Sequence, residues 1–439
     1  HTKLNKMAKP TLALIPASQG SKLFSVLPSS GVGDFDFSRG SAATRINSQG
    51  LIENVASGQS RLDYPLIDGV VNGCPSVLLE PQRTNLITYS EDFSQTYWTK
   101  TRGNITSNVA ISPNGTQDAS LFTSTVDSTA YVQNNVALTV SGTKQTISCF
   151  VKKETSSWCY LLLWDSGSSG SYQYFNIEEG TVGVQAIFGT GISVDDAKVE
   201  EYPNNWFRIS ATYDVGTIVS LRGRVSPVSY NNTPTTTIGS SIYIWGFQVE
   251  GNSSYPTSYI PTTTTVVTRA AETANGAGDA TTFNDSEGVL MLESSFLSTD
   301  LGTSVIAISD GTTSNRIILG YNGTGNTLYT QLIGGASPPT AMSFTGADIT
   351  LNNKMLIKYK ANDFSFWVNG FELSTVSSGT IPSNLNNLSF SSGTGGSILR
   401  GNTKQIQYYN SALTDSELEE LTSWTSFTAM AQGQQYTIK

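Results

Sequence analysis

Two β-rich runs, Trp158-Cys159-Tyr160-Leu161-Leu162-Leu163-Trp164 and Ser171-Tyr172-Gln173-Tyr174-Phe175-Asn176-Ile177, are separated by the polar stretch Asp165-Ser166-Gly167-Ser168-Ser169-Gly170. This spacing predicts a hairpin. Alternate residues of a strand share a face. Cys159, Leu161, Leu163, Phe175 and Ile177 therefore form one apolar face, suited to a core. The opposite face carries Trp158, Tyr160, Leu162, Trp164, Tyr172, Tyr174 and Asn176. A β-sandwich ordinarily turns that side to water, so five aromatic rings there call for a reason. One reason is a stacking platform for sugar rings: the apolar face of a pyranose lies flat on an aromatic ring while a Tyr hydroxyl or Asn amide bonds its hydroxyls. Trp158, Tyr160, Trp164, Tyr172, Tyr174 and Asn176 are the candidate carbohydrate-binding residues. The alternative is that a loop or a neighbouring domain covers these rings.

The 439 residues suggest about three domains. Only 13% of residues are charged, glycines number 40, and Ser, Thr and Asn are abundant, which is the composition of an all-β protein with many turns. The net charge of −9 with no long basic run argues against nucleic acid as a partner. No apolar stretch is long enough to span a bilayer as a helix. Residues 1–7 lack the apolar region of a signal peptide and read as an expression remnant ending at Met7, the expected natural start. The three cysteines, Cys74, Cys149 and Cys159, are an odd number and are expected to be reduced, although Cys149 and Cys159 flank a short connection and a bridge between them is geometrically feasible. The single histidine is His1, so Ser-His-Asp chemistry and a His-based zinc site are excluded.

Residues 8–84 intersperse Arg, Asp and Gly with single hydrophobes, show little sustained period, and cannot bury a large core alone. They are expected to wrap another domain or to interlock with copies of the chain, as an irregular leader for attachment or oligomerisation. Phe37-Ser-Arg-Gly-Ser-Ala-Ala-Thr-Arg-Ile46, Gly50-Leu-Ile-Glu53, Leu78-Leu-Glu-Pro-Gln-Arg-Thr-Asn-Leu86 and Ser90-Glu-Asp-Phe93 resemble the leader of bacteriophage and prophage fibre or spike proteins. The likeness continues at Ile242-Tyr-Ile-Trp-Gly-Phe-Gln-Val-Glu250, Pro256-Thr-Ser-Tyr-Ile-Pro-Thr262 and Val267-Thr-Arg-Ala-Ala271. The resemblance implies a virion-surface or extracellular location, other virion proteins as partners and a homo-oligomer, with a trimer expected.

Residues 85–266 read as one sandwich, with strand-like runs at 146–152, 158–164, 172–177, 206–213 and 242–249. Their opening, Asn85 to Phe93 followed by Trp98, resembles jelly-roll carbohydrate-binding modules. That likeness implies a structural calcium, for which Glu91 and Asp92 are candidates, although Trp245-Gly246 stands where the last strand would supply a further Asp. Pro256–Thr265 is a Pro/Thr linker. In residues 267–439, Lys354–Lys360 and Phe364–Leu373 form hairpins around Asn369-Gly370, a dipeptide that accepts positive φ at both positions. This pattern resembles laminin-G and concanavalin A-like domains, which often bind glycan or calcium at one rim; Asp310, Asn315, Arg316, Asn322 and Trp367 are the candidates there. Trp367 alternates with Phe366, and one of the two is expected in the core. Leu413 to Leu421 predicts a short packing helix with Thr414 as N-cap and Glu417 as its capping-box partner.

Glucanases on concanavalin A-like folds carry closely spaced carboxylates on one strand. Glu287 and Glu293 have no Asp between them, Asp415 to Glu420 falls on the predicted helix, and Glu178-Glu179 falls in a turn. The fold expected is thus all-β: tandem β-sandwiches, a jelly roll (85–266) then a concanavalin A/laminin-G-like domain (267–439), after an irregular N-terminal leader (8–84). The function expected is non-catalytic polysaccharide binding by a structural fibre component. No cofactor is required, and calcium at Glu91, Asp92 or Asp310 is a structural option. The rival functions are a polysaccharide-degrading spike and an architectural capsid decoration.

Overall fold

A computed structural model describes residues 8–425 apart from Leu301 and Thr324; the expected remnant at residues 1–7 lies outside the described residues. Alternating strands dominate, every named strand pair is antiparallel, and among the described residues the one α-helix is Asp415–Thr422. That helix is neither long nor apolar enough to cross a membrane.

The middle sandwich stacks two sheets. One orders Gly103–Ala110, Ala119–Ser124, Ser241–Gly251, Lys144–Lys153, Trp206–Asp214 and Ser193–Tyr202. The other orders Trp98–Thr101, Tyr131–Asn134, Ser220–Val228, Trp158–Trp164, Gly170–Asn176 and Thr181–Phe188. Between them lie Ile147, Cys149, Val151, Cys159, Leu161, Leu163, Phe175, Ile209 and Phe247, all buried. The predicted hairpin forms with Trp158 opposite Asn176 and Trp164 opposite Gly170. Asp165 Oδ1 accepts from the amides of Gly167 and Ser169 and thereby shapes its turn. Cys74, Cys149 and Cys159 are all free thiols, and the latter two pack as core residues.

The leader builds into the C-terminal sandwich. Leu12–Gln19 pairs with Gly401–Tyr409, and so does Ser76–Leu79. Lys22–Leu27, Phe35–Ser38 and Thr273–Asn275 extend the same 11-stranded sheet. Leu12, Leu14, Leu23, Phe35, Val77 and Leu79 share one core with Leu290, Ile306, Ile357 and Phe366. A leader too sparse in hydrophobes to fold alone thus obtains its core by strand addition. The Ala43–Ile46 and Ile52–Val55 hairpin goes elsewhere: Ile46 and Ile52 pack on Phe150, Trp206 and Trp245, on the outside of the first sheet of the middle sandwich.

A buried ionic cluster fastens these parts. Glu272 accepts from Arg39 Nη1 at 2.8 Å, from Arg61 Nε at 2.9 Å and from the Glu80 amide at 2.8 Å, and it also pairs with Arg61 Nη2. Glu80 pairs with Arg61 and Arg269, each at 2.8 Å, and accepts from the Ser258 hydroxyl at 2.6 Å. These ion-paired side chains are all 0–3% exposed. Burial alone would raise the pKa of Glu80, but the charges of Arg269 and Arg61 and the Ser258 donors outweigh it and hold the group at about 2.

At the C-terminal end, Asn369 and Gly370 both take positive φ, 51° and 91°, in the expected turn. Thr414 caps the helix with a complete capping box. Both Phe366 and Trp367 are buried, which corrects the expectation that only one would be. Phe366 faces the sandwich core, whereas Trp367 lies in a second cluster with Leu413, Leu418 and Leu421 at the terminal helix. A covered outer face has no exposed side.

Candidate functional site

Both sheets of the middle sandwich have aromatic outer faces, but only one is roofed. On the first sheet, Phe150, Trp206 and Trp245 lie beneath Ile46, Ile52 and Leu66 of the leader and Tyr259 of the linker. Gly246, at φ +63°, lets the strand pass close to Phe150, whose ring a Cβ there would meet at 2.8 Å. On the second sheet, Tyr160, Leu162, Tyr174 and Val228 cluster with Trp158, Trp164, Tyr172, Ala186 and Phe188. Every member of that cluster belongs to the strands of that one sheet. The rings cover one another, and among the described residues no hydrophobic side chain from outside the sheet joins their cluster, although Asn231 reaches the same face beside Trp158.

The six expected sugar-binding residues therefore divide. Tyr160 and Tyr174 are 0% and 1% exposed and cannot offer a ring face to a ligand. They are the floor: Tyr160 meets Tyr172 edge-on at 5.0 Å, and Tyr172 stacks on Tyr174 at 6.0 Å with an interplanar angle of 20°. Burial, then the neighbouring Tyr172 phenol, raises the pKa of both, so both stay neutral. Asn176 does not serve as a ligand donor either. Its Oδ1 accepts from the amides of Glu178 and Glu179, and its Nδ2 donates to Glu179 at 3.0 Å, so it shapes the following turn. Trp158, Trp164 and Tyr172 keep partial exposure. Trp158 stands six residues from Trp164, roughly 20 Å away along the strand, against Gly183, where a Cβ would meet its ring at 2.7 Å.

Around Trp164 the structure adds residues that the hairpin alone does not reveal. In register on the same face lie Gln133 opposite Arg224, and Arg224 opposite Leu162. Arg224 holds its guanidinium 3.9 Å from the Tyr131 ring centre and 4.2 Å from that of Trp164. Gln133 Oε1 accepts from Trp164 Nε1 at 2.9 Å and from Arg224 Nε. Trp164, Tyr131, Tyr172 and Arg224 thus make a rigid, half-exposed rim over the Tyr160–Tyr174 floor. Alternation along Ser220–Val228 could have placed Arg224 and Ser226 on one face; their pairing with this hairpin is long-range and unreadable from local pattern.

The expected calcium ligands do not converge. Asp92 accepts from Ser94 and Gln95 within its own turn. Glu91 instead accepts from Tyr259 at 3.1 Å; burial, with Asp118 adding like charge against the Tyr259 hydrogen bond, raises its pKa to about 7. Asp310 is engaged by Thr312 and Asn315 as a plain loop turn. Among the described residues no group of three or more His, Cys, Asp or Glu side chains is gathered as a metal site. Of the expected C-terminal rim, Trp367 is buried under the terminal helix and Arg316 donates to the Ser392 carbonyl, while Asp310, Asn315, Arg316 and Asn322 keep partial exposure.

No family model matches the chain, and no curated protein matches it. Solved structures are similar in part. The CBM40 of Ruminococcus gnavus IT-sialidase bound to α2,3-sialyllactose is 15% identical, with 33% of this chain and 86% of that chain covered and a TM-score of 0.29. Domain 4 of an extracellular arabinanase from Geobacillus stearothermophilus in complex with arabinotriose is 12% identical, with 39% and 84% covered and a TM-score of 0.30. The binding domain of botulinum neurotoxin serotype G is 12% identical, with 38% and 42% covered and a TM-score of 0.27. At such identities and scores these likenesses fix no ligand for the chain.

Proposed function

We propose that this protein is a non-catalytic glycan-binding component of an extracellular particle, and that the second sheet of the middle sandwich binds the glycan. One observation carries the reading: of two aromatic outer faces, the leader covers one and leaves the other, with Trp164 and Tyr172 half-exposed on a fixed aromatic floor. An aromatic face with a polar rim suits a ring that is apolar on one side and hydroxylated at its edge. The fibre assignment, and with it a virion-surface location and a symmetric oligomer, is supported by the leader motifs alone. Several weak sites on one particle would together bind firmly. A glycan array with wild type and Trp164→Ala tests the reading: binding by wild type that the variant loses supports it. Equal binding by both moves the site elsewhere, and silence from both favours an architectural decoration.

A further inference from the structure

The chain carries a net charge of −9, yet the unroofed face runs against that sign. Arg222 and Arg224 lie two residues apart on one strand and share this face. The residues in register around them are Gln133, Tyr160, Leu162, Trp164, Tyr172, Tyr174 and Ser226, with no carboxylate among them. No carboxylate lies within ion-pair distance of either arginine among the described residues.

Arg224 is held in one pose. Tyr131 and Trp164, from the two flanking strands, lie close to its guanidinium, and its Nε is taken by Gln133. Gln133 is itself fixed by the Trp164 indole. Among the described residues no partner is found for the Nη1 and Nη2 nitrogens, and the residue is partly exposed. A guanidinium so oriented presents a two-pronged donor that matches a carboxylate and binds it more strongly than it binds a neutral hydroxyl. The neighbouring rings reduce the water that competes for it.

Resting on the reading that this face binds glycan, we infer that its ligand is an acidic sugar and that Arg224 reads the sugar's carboxylate while Trp164 and Tyr172 stack on its ring. Arg224 is then the specificity-determining residue, and the aromatic pair supplies affinity that neutral sugars share.

The test pairs hexuronate- and ulosonate-containing glycans with their carboxyl-reduced counterparts and titrates each into the full chain. Wild type is expected to prefer the acidic member by about tenfold or more, the range of a charge-assisted pair. Arg224→Gln is expected to bring the acidic member down to the level of the reduced one, and Arg224→Lys to restore part of the preference. Trp164→Ala should weaken both members together. Arg102→Gln, an exposed arginine at the end of a strand of the same sheet whose guanidinium donates to Ser128, should change nothing. Thermal unfolding of each variant shows that the fold persists. Equal binding of both members by wild type overturns the carboxylate inference while leaving glycan binding standing. A preference that survives Arg224→Gln, or falls equally in Arg102→Gln, overturns the role of Arg224. Binding of neither member of any pair overturns the glycan reading itself.

Discussion

Replacing Glu272 by Gln should loosen the leader from the rest of the molecule. The wild-type carboxylate receives Arg39 Nη1, Arg61 Nε and Nη2, and the Glu80 amide. A glutamine has one acceptor oxygen for these donors, and its own amide nitrogen would confront Arg61 donor to donor. Among the described ion pairs Arg39 would then lose its carboxylate partner, and Arg61 and Arg269 would keep only their pairing to Glu80. Removing one partner of a buried ion pair costs about 3–5 kcal/mol, because the other charge stays buried and uncompensated. Glu272 engages two arginines at once, so the upper part of that range is expected. Urea unfolding measures the loss. Amide hydrogen exchange locates it, with faster exchange expected first in Leu12–Gln19 and Ser76–Leu79, the leader strands that pair with Gly401–Tyr409. A loss below about 1 kcal/mol, the range of exposed pairs, would refute the claim that this cluster fastens leader to sandwich. So would accelerated exchange confined to the Trp158–Asn176 hairpin.

Stability should peak in mildly acidic solution. Glu80, held at about 2 against an ordinary 4.5, contributes above pH ~4.5 and loses that contribution as pH falls. Asp63 and Glu91, raised to about 7 mainly by burial, are best accommodated neutral, so their contribution is full below their ordinary values of 3.8 and 4.5 and is lost as pH rises toward 7. Denaturation between pH 3 and 8 should therefore show a maximum near pH ~4, and Asp63→Asn should flatten the alkaline side; a steady rise from pH 5 to 8 would contradict this. Gly170→Ala places a methyl 2.6 Å from both the Trp164 Cβ and the tip of Phe188, so it should cost about 1–3 kcal/mol and weaken any ligand bound at Trp164, read by urea unfolding and titration. Thr414→Ala removes the hydroxyl that caps the terminal helix and should cost about 1 kcal/mol in the same unfolding measurement.

Local chemistry made part of this molecule legible. The 158–177 hairpin follows from strict alternation around a polar turn, the Asn369-Gly370 turn from two positive-φ residues, and the helix from Thr414 and Glu417 three apart. Alternation says which face a side chain takes; it does not say how neighbours on that face bury one another. Alternation thus puts Tyr160 and Tyr174 on the outer side, where rings of their own sheet cover them. For Asn176 the signal is local, since Asn before Glu178-Glu179-Gly180 is itself turn chemistry. The ionic cluster was beyond local reading. Arg39, Arg61, Glu80, Arg269 and Glu272 sit in segments whose leader-like motifs were visible, but their partners lie up to 233 positions away. Likewise Arg224 reaches Gln133 across 91 positions, and only the sheet brings them together.

Hydroxyl-radical footprinting of the full chain, with and without saturating glycan, tests the central claim most directly because the molecule contains its own control. Trp164 and Tyr172 on the unroofed sheet should become protected when ligand binds, while Trp245, already buried beneath the leader, stays unchanged. Bound glycan that leaves Trp164 and Tyr172 as reactive as before, or that protects residues of the C-terminal sandwich instead, would contradict the account.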